Sequence, residues 1–328
     1  MKKINVIYIG GSGRSGSTVL TKLLNFWEGF IGLNEACYLW RNGIHRNYPI
    51  SNGELFSESG FWKEVLLRVF PGKMIAKKQI DFFSYASLLG LKNLLKSSFQ
   101  KRPADPDISS YAKNLKNLYT AILEVSEAQF IVDSSKTPDY AHFLSGLDGM
   151  NIYFIHLVRD PRGVAYSWSK KFKRKDVQKG TEVPMTSFGL IESTLRWINW
   201  NIGCELIKRK KNVKYLRVRY EDFAQDPVQV LEKITDLLDL VKDCPKYYFT
   251  EEGFIDRHNA QDISIWGNPE VRKSQGGIKV RPDEKWVQEF SFKKKLIVTL
   301  LTFPFLIRYN YALFFTKTKQ LHHSSAKA

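Results

Sequence analysis

The chain has 328 residues, 43% of them hydrophobic and 14% aromatic, enough apolar material to offset ordering entropy and to exclude a largely disordered protein. Its 50 Lys and Arg outweigh 33 Asp and Glu for a formal charge of +17, which draws phosphates, sulfates, nucleic acid or an anionic membrane without naming one of them. The three cysteines, Cys37, Cys204 and Cys244, are scattered with no CxxC pair, so neither a disulfide framework nor a metal site is indicated and a reducing compartment is expected.

Met1-Lys2-Lys3 leads into an apolar run too short for a secretory signal, so a cytoplasmic location is expected. Ile4 to Ile9 reads as a buried strand that stops at a Gly/Ser cluster, after which Thr18-Val19-Leu20 and Leu23-Leu24 take helical spacing. Further buried strands are read at Phe130-Ile131-Val132, Ile152 to Val158 and Val213 to Val218, each followed by turn chemistry and a helical pattern. That alternation predicts a single α/β domain over 1–328, in three layers, with a central, mostly parallel sheet and helices on both faces. A helical insertion is expected at 60–128, interrupted where Pro103 and Pro106 sit among acids. Leu190 to Ile207 reads as a helix whose flanks, Lys170 to Lys175 and Lys208 to Lys211, are read as solvated faces. Residues 291–328 are expected to form a C-terminal helix and a basic tail. Pro304, Arg308 and Asn310 break the apolar run there short of a membrane span, while Lys293-Lys294-Lys295 leave open an interfacial helix on the anionic inner face of a membrane.

The segment from Gly10 to Thr18 joins the first strand to the first helix, where free backbone N–H groups and the helix dipole hold an anion. It reads as a P-loop in which Ser17 replaces the lysine that reaches the β- and γ-phosphates. This makes the fold P-loop-like and tells against the alternative of a nucleotide or small-molecule kinase. Arg14 supplies a planar cationic fork at a different point of the loop. Arg159 follows a buried strand at the edge where open α/β sheets bind ligands, and Ser167 stands eight residues further on. A second alternative, a non-catalytic basic nucleotide- or nucleic-acid-binding protein, rests on charge alone. No nucleic-acid motif is recognised and no such partner is expected.

These segments resemble the sulfotransferases that use 3′-phosphoadenosine 5′-phosphosulfate (PAPS), in their bacterial carbohydrate and tyrosylprotein-like branches. The resemblance implies that Gly13, Arg14, Ser15, Gly16, Ser17 and Thr18 hold the 5′-phosphosulfate, and Arg159 with Ser167 the 3′-phosphate, with Lys171 also among the donor-binding residues. It places Tyr220 of Tyr220-Glu221-Asp222 at the adenine. It implies that the segment around Gly267 to Arg272, with Ile278-Lys279 and Asp283 to Trp286, closes over the donor through Asn268, Arg272 and Lys279. Asp133 to Pro138 resembles the segment that puts a lysine, here Lys136, beside the transferring group. The Lys-Thr-His segment with its histidine base and the C-terminal motif of the aryl and steroid branch are missing, which disfavours a phenol or steroid acceptor. In the tyrosylprotein branch the base is a glutamate twenty-one positions after the loop arginine, and Glu35 holds that position here. His258 is the rival base, with His45 and His142 behind it, whereas His156, inside a buried strand, reads as a satisfied core residue. The resulting expectation is in-line sulfuryl transfer from PAPS, without a metal, to a hydroxyl or amine of a carbohydrate acceptor, a polysaccharide or its lipid-linked precursor. Glu35 acts as base, and Lys136 and Arg14 stabilise the developing charge.

Overall fold

A computed structural model describes residues 3–72, 106–170, 173–178, 181–184, 186–240, 249–250, 253–254, 262–268, 271, 278 and 280–313. The strands are β1 (Ile4–Gly10), β2 (Phe30–Asn34), β3 (Phe130–Lys136), β4 (Met150–Val158), β5 (Lys173–Gln178), β6 (Thr181–Pro184) and β7 (Val213–Arg219), with the two-residue pair β8 (Phe249–Thr250) and β9 (Gly253–Phe254). Five of them form the central sheet in the order β2-β3-β1-β4-β7, every pairing parallel, while β5 and β6 pair with each other antiparallel. The expected α/β fold with a parallel sheet is therefore the fold observed.

Successive side chains of a strand face opposite layers, and β1 divides accordingly. Val6 and Tyr8 enter a core with Ile131 and Phe154 of the neighbouring strands, and with Trp62 of α2 (Gly60–Val69) and Tyr119 of α3 (Pro106–Ser126). Ile7 and Ile9 enter the opposite core with Leu20 and Leu24 of α1 (Ser17–Asn25). Each of these side chains is almost completely excluded from water, contributing ~1.5–3 kcal/mol apiece relative to exposure. Strands buried on both faces read as unbroken apolar runs, which is why β1 and β4 are plain in the sequence. The edge strand β2 escapes that reading: Phe30-Ile31-Gly32-Leu33-Asn34 is short and carries a glycine, so only its pairing with β3 identifies it.

The remaining helices are α4 (Pro138–Leu144), α5 (Pro161–Ser169), α6 (Leu190–Ile207), α7 (Tyr220–Gln225), α8 (Pro227–Leu237), α9 (Lys285–Glu289) and α10 (Phe292–Arg308). Val230 and Ile234 of α8 complete the core over Ile7 and Ile9. On α10, Leu306 packs with Trp197 of α6, and Val298 with Tyr166 of α5. Among the described residues no helix is long and apolar enough to cross a membrane. Of the basic flanks, Lys173 to Lys175 belong to β5, and Lys208, Arg209 and Lys211 are exposed, as read. Lys210 is half-buried, donating to the His142 carbonyl at 2.9 Å and to Ser145 Oγ at 2.7 Å, and burial pushes its ammonium down to about 8.

Candidate active site

The carboxyl ends of the five strands open into one cleft of about 640 Å³, the place where a parallel sheet of this topology presents its ligand-binding edge. Glu35 follows β2, Ser135 and Lys136 end β3, and Gly13, Arg14, Gly16, Ser17 and Thr18 follow β1. On the other side Arg159 and Ser167 follow β4, and Tyr220 follows β7. Asn268 also lines the cleft. Strand order thus brings together residues from Gly13 to Tyr220. Lys171, His258, Arg272 and Lys279 lie outside the described residues, as does Cys244.

The loop after β1 owes its shape to two close approaches. A Cβ on Gly11, whose φ is 138°, would stand 2.2 Å from the Leu157 carbonyl oxygen, and one on Gly16, at φ 85°, would stand 2.8 Å from the Tyr220 ring. Arg14 also takes a left-handed backbone, φ 70°, and its guanidinium lies 4.8 Å over the Trp168 ring. Helix α1 begins with no side-chain cap and no acid in its first turn, so its N-terminal amides and dipole remain for an anion. Ser15 is 1% exposed and does not itself line the cleft, and among the described residues its Oγ has no hydrogen-bond partner.

Arg159 braces this loop from β4. Its guanidinium donates to the Arg14 carbonyl at 2.7 Å and to Asp283 Oδ2 at 2.9 Å, and stacks 4.5 Å from the centre of the Tyr220 ring. The C-terminal segment reaches the same loop where the Asn268 N–H donates to Thr18 Oγ1 at 3.3 Å. Sequence reasoning leaves unassigned the neighbours that hold Arg159 in place. Asp160 caps α5, accepting from the Arg162 N–H at 2.8 Å and from its guanidinium at 2.6 Å. Glu221 accepts from the Asp160 N–H at 3.0 Å and from the Tyr311 hydroxyl at 2.7 Å, and burial raises its carboxyl above the usual range. Pro161 at the first helical position was the available signal for that cap.

On the far side of the loop, Lys136 Nζ donates to Glu35 Oε1, both side chains being nearly buried. Their positions are tied through the backbone: the Cys37 N–H donates to Ser135 Oγ at 3.0 Å. Ser135 in turn donates through its N–H and its hydroxyl to Asp133 Oδ1, at 2.8 and 2.6 Å. Tyr119 donates to the other Asp133 oxygen at 2.5 Å. Burial pushes the Asp133 carboxyl up to about 6. Asp133 and Tyr119, neither singled out as functional from sequence, therefore fix the strand end that carries Lys136. Of the other histidines, His156 is fully buried: Nε2 donates to Asn201 Oδ1 at 2.8 Å while Nδ1 accepts from the Tyr215 hydroxyl at 2.6 Å, the tautomer fixed by Asn201 Nδ2 donating to the Trp197 carbonyl. His142 and His45 do not line the cleft.

Comparison with known proteins places this arrangement. The profile of the sulfotransferase family matches residues 6–243, and the chain belongs to that family; it is a sulfotransferase. Among solved structures, the sulfotransferase domain from the curacin biosynthetic pathway shares 17% identity with a TM-score of 0.51, over 96% of this chain and 100% of that one. The sulfotransferase domain of the Synechococcus PCC 7002 olefin synthase shares 18% identity, TM-score 0.48, over 95% of this chain and 97% of that one. Mouse sulfotransferase SULT7A1, solved in complex with PAP, shares 15%, TM-score 0.43, over 94% and 86%. No curated protein matches the chain.

Proposed function

We propose that this sulfotransferase moves the sulfuryl group of PAPS to a hydroxyl of a carbohydrate acceptor, with Glu35 as the base. The observation that carries the reading is the Glu35–Lys136 pair facing an uncapped helix N-terminus across one cleft. The residues present fit the donor: the uncapped first turn of α1, with Gly16, Ser17 and Thr18 on the cleft and the orphaned Ser15 hydroxyl buried beside them in sequence, suits a 5′-phosphosulfate, and buried Arg159 with Ser167 suits a 3′-phosphate. PAPS, when bound, supplies an electrophilic sulfur on a phosphate leaving group.

In this mechanism the acceptor oxygen forms its bond to sulfur as the bond from sulfur to the phosphate oxygen breaks, and the hydroxyl proton passes to the Glu35 carboxylate. Arg14 and the loop amides neutralise charge on the sulfuryl oxygens, and Lys136 neutralises the phosphate as it departs. The ion pair holds both side chains at the point of transfer, and as Lys136 turns toward the leaving phosphate it frees Glu35 to accept the proton. Calorimetry with adenosine 3′,5′-bisphosphate (PAP) in the presence of a chelator, followed by transfer of labelled sulfate from PAPS to oligosaccharides, tests the reading. Failure of PAP to bind rejects it.

The same proposal includes contact with an anionic bilayer through α10. Phe292, Leu296, Leu300, Phe303 and Ile307 recur at helical spacing along its outer side, with Leu300 at 67% exposure, and exposed Lys293, Lys294 and Arg308 flank them. An apolar stripe between cations suits the headgroup boundary of an anionic membrane.

A further inference from the structure

Resting on that reading, the acceptor side of the cleft carries a chemistry of its own. Strand order divides the cleft: the loop, Arg159 and Tyr220 follow β1, β4 and β7, whereas the chain leaving the edge strand β2 forms the opposite wall. There the backbone takes a π-helical turn at Leu39–His45, a wide geometry that recurs at functional sites. Tyr38, Arg41, Asn42 and Arg46 from this segment line the cleft.

Among the described residues five cationic side chains line the cleft against two carboxylates, and the carboxylates are already engaged: Glu35 with Lys136, and Asp283 with Arg159. Arg14 belongs to the donor loop. Arg41 and Arg46 remain, and among the described residues neither meets a carboxylate. Arg41 lies 4.6 Å over the Tyr38 ring and donates its Nε to Asn42 Oδ1 at 3.3 Å, while Arg46 lies 5.6 Å over the Tyr48 ring. Asn42 is fully buried, yet among the described residues its Nδ2 has no hydrogen-bond partner, an unusual state for a buried donor and one that a ligand oxygen would relieve. Beside them Tyr48 and Trp266 stack at 5.7 Å and 19°, both lining the cleft, and they offer a flat aromatic wall of the kind that meets the C–H face of a sugar ring.

We propose that this wall is an acceptor subsite for an acidic saccharide, in which Arg41 and Arg46 bind an oxyanion on the sugar, Asn42 Nδ2 donates to a sugar oxygen, and Tyr48 with Trp266 supports the ring. The planar forks of two arginines match carboxylate, sulfate or phosphate oxygens in pairs. A neutral sugar would leave both charges facing the cleft uncompensated.

The test uses the full-length protein saturated with PAP and titrated with length-matched oligosaccharides that bear a uronate, a 6-phosphate, a 6-sulfate or no charge. At least one charged series is expected to bind tenfold or more tightly than the neutral one, and that advantage should shrink with added salt. Arg41→Gln/Arg46→Gln should bring the preferred series to within twofold of the neutral sugar while PAP affinity stays unchanged; should the pair of changes disturb folding, Arg46→Gln alone, at an exposed position, should lower the preference. Tyr48→Ala should weaken charged and neutral sugars alike. Equal affinity for all series, binding of none of them, or a preference that survives loss of both arginines overturns the proposal. Loss of PAP binding by the unmodified protein strikes instead at the donor assignment beneath it.

Discussion

Arg159→Ala probes the donor side of the cleft without needing the acceptor. Arg159 is 5% exposed, and its guanidinium donates to two residues, to the Arg14 carbonyl at 2.7 Å and to Asp283 at both Oδ2, 2.9 Å, and the carbonyl, 3.4 Å. Under the proposed function it gains a third, the 3′-phosphate, at the face that lines the cleft. A hydrogen bond to a charged group contributes ~1.5–3 kcal/mol, and every 1.4 kcal/mol is about tenfold in affinity, so the direct loss predicts PAP binding weaker by ~10–150-fold. Removing the brace on the loop adds to that loss. Losing the ion pair with Asp283 adds little, because that carboxylate side chain is 39% exposed and water replaces its partner. Ser167→Ala removes a neutral hydroxyl and should cost only ~2–10-fold. Arg159→Lys keeps the charge but not the fork and should fall between wild type and alanine. Titration calorimetry with PAP, with the thermal midpoint as a check on folding, measures all three. A Kd for Arg159→Ala within twofold of wild type would refute the reasoning and reduce Arg159 to a structural brace.

Glu35→Gln keeps the shape and an acceptor for Lys136 but cannot take the proton; sulfate transfer should fall ~10²–10⁴-fold with PAP affinity nearly unchanged, and a near wild-type rate would remove Glu35 from the mechanism. His156 is held neutral by burial, which pushes it down to about 4 from an ordinary 6.5. Between those values the unfolded chain binds the extra proton, so stability is full above pH 6.5 and declines as pH falls toward 4. His156→Gln should flatten that part of the stability curve measured by denaturant titration, and an unchanged slope would clear His156. Leu300→Asp with Ile307→Asp should cut cosedimentation with phosphatidylglycerol vesicles at least tenfold while leaving PAP affinity intact, whereas equal cosedimentation would remove α10 from the membrane. Lys136 has a left-handed backbone, φ 68°, so Lys136→Gly should be more stable than Lys136→Ala by ~1 kcal/mol although both lose the ion pair. Equal unfolding midpoints for the two would show that the strand end relaxes.

What could be read from the sequence follows the physics of each element. Strands β1 and β4 are buried on both faces, so their apolar runs announce them, and the loop between β1 and α1 is legible because glycines, serines and an arginine stand directly between a strand and a helix. The pairing of Glu35 with Lys136 is another matter. The two residues are 101 positions apart, and their meeting depends on β2 lying beside β3, which no local pattern encodes. The Asp133–Ser135–Cys37 chain of hydrogen bonds is equally silent, since aspartate and serine after a strand read as ordinary turn chemistry. The Arg41, Asn42 and Arg46 wall stays hidden for a third reason: a π-helical turn breaks the 3.6-residue period on which helix reading relies.

Three non-glycine residues at neighbouring strand ends share one strained feature: Asn34 ending β2, Lys136 ending β3 and Arg14 after β1 all have left-handed backbones, with φ of 57°, 68° and 70°. Their strands are adjacent in the sheet. Outside glycine that conformation costs ~1–2 kcal/mol per residue, with asparagine at the low end, and regular packing gives no reason to meet it three times in one place. The consequence is directional. A strand that continued straight would carry its next side chain away over the sheet, whereas a left-handed residue turns the chain at once, so that Glu35 immediately after Asn34 and the side chain of Lys136 itself arrive at the same point. Arg14 does the same for the loop, turning its carbonyl to the Arg159 guanidinium. The cost is carried by the two cores beneath, where Leu33 of β2, Val132 of β3 and Tyr8 of β1 are fully buried one residue or more before their turns. A rigid, doubly covered sheet can hold three strained ends together, and the groups proposed for proton removal, leaving-group stabilisation and donor binding all stand on those ends or on the residue next to them.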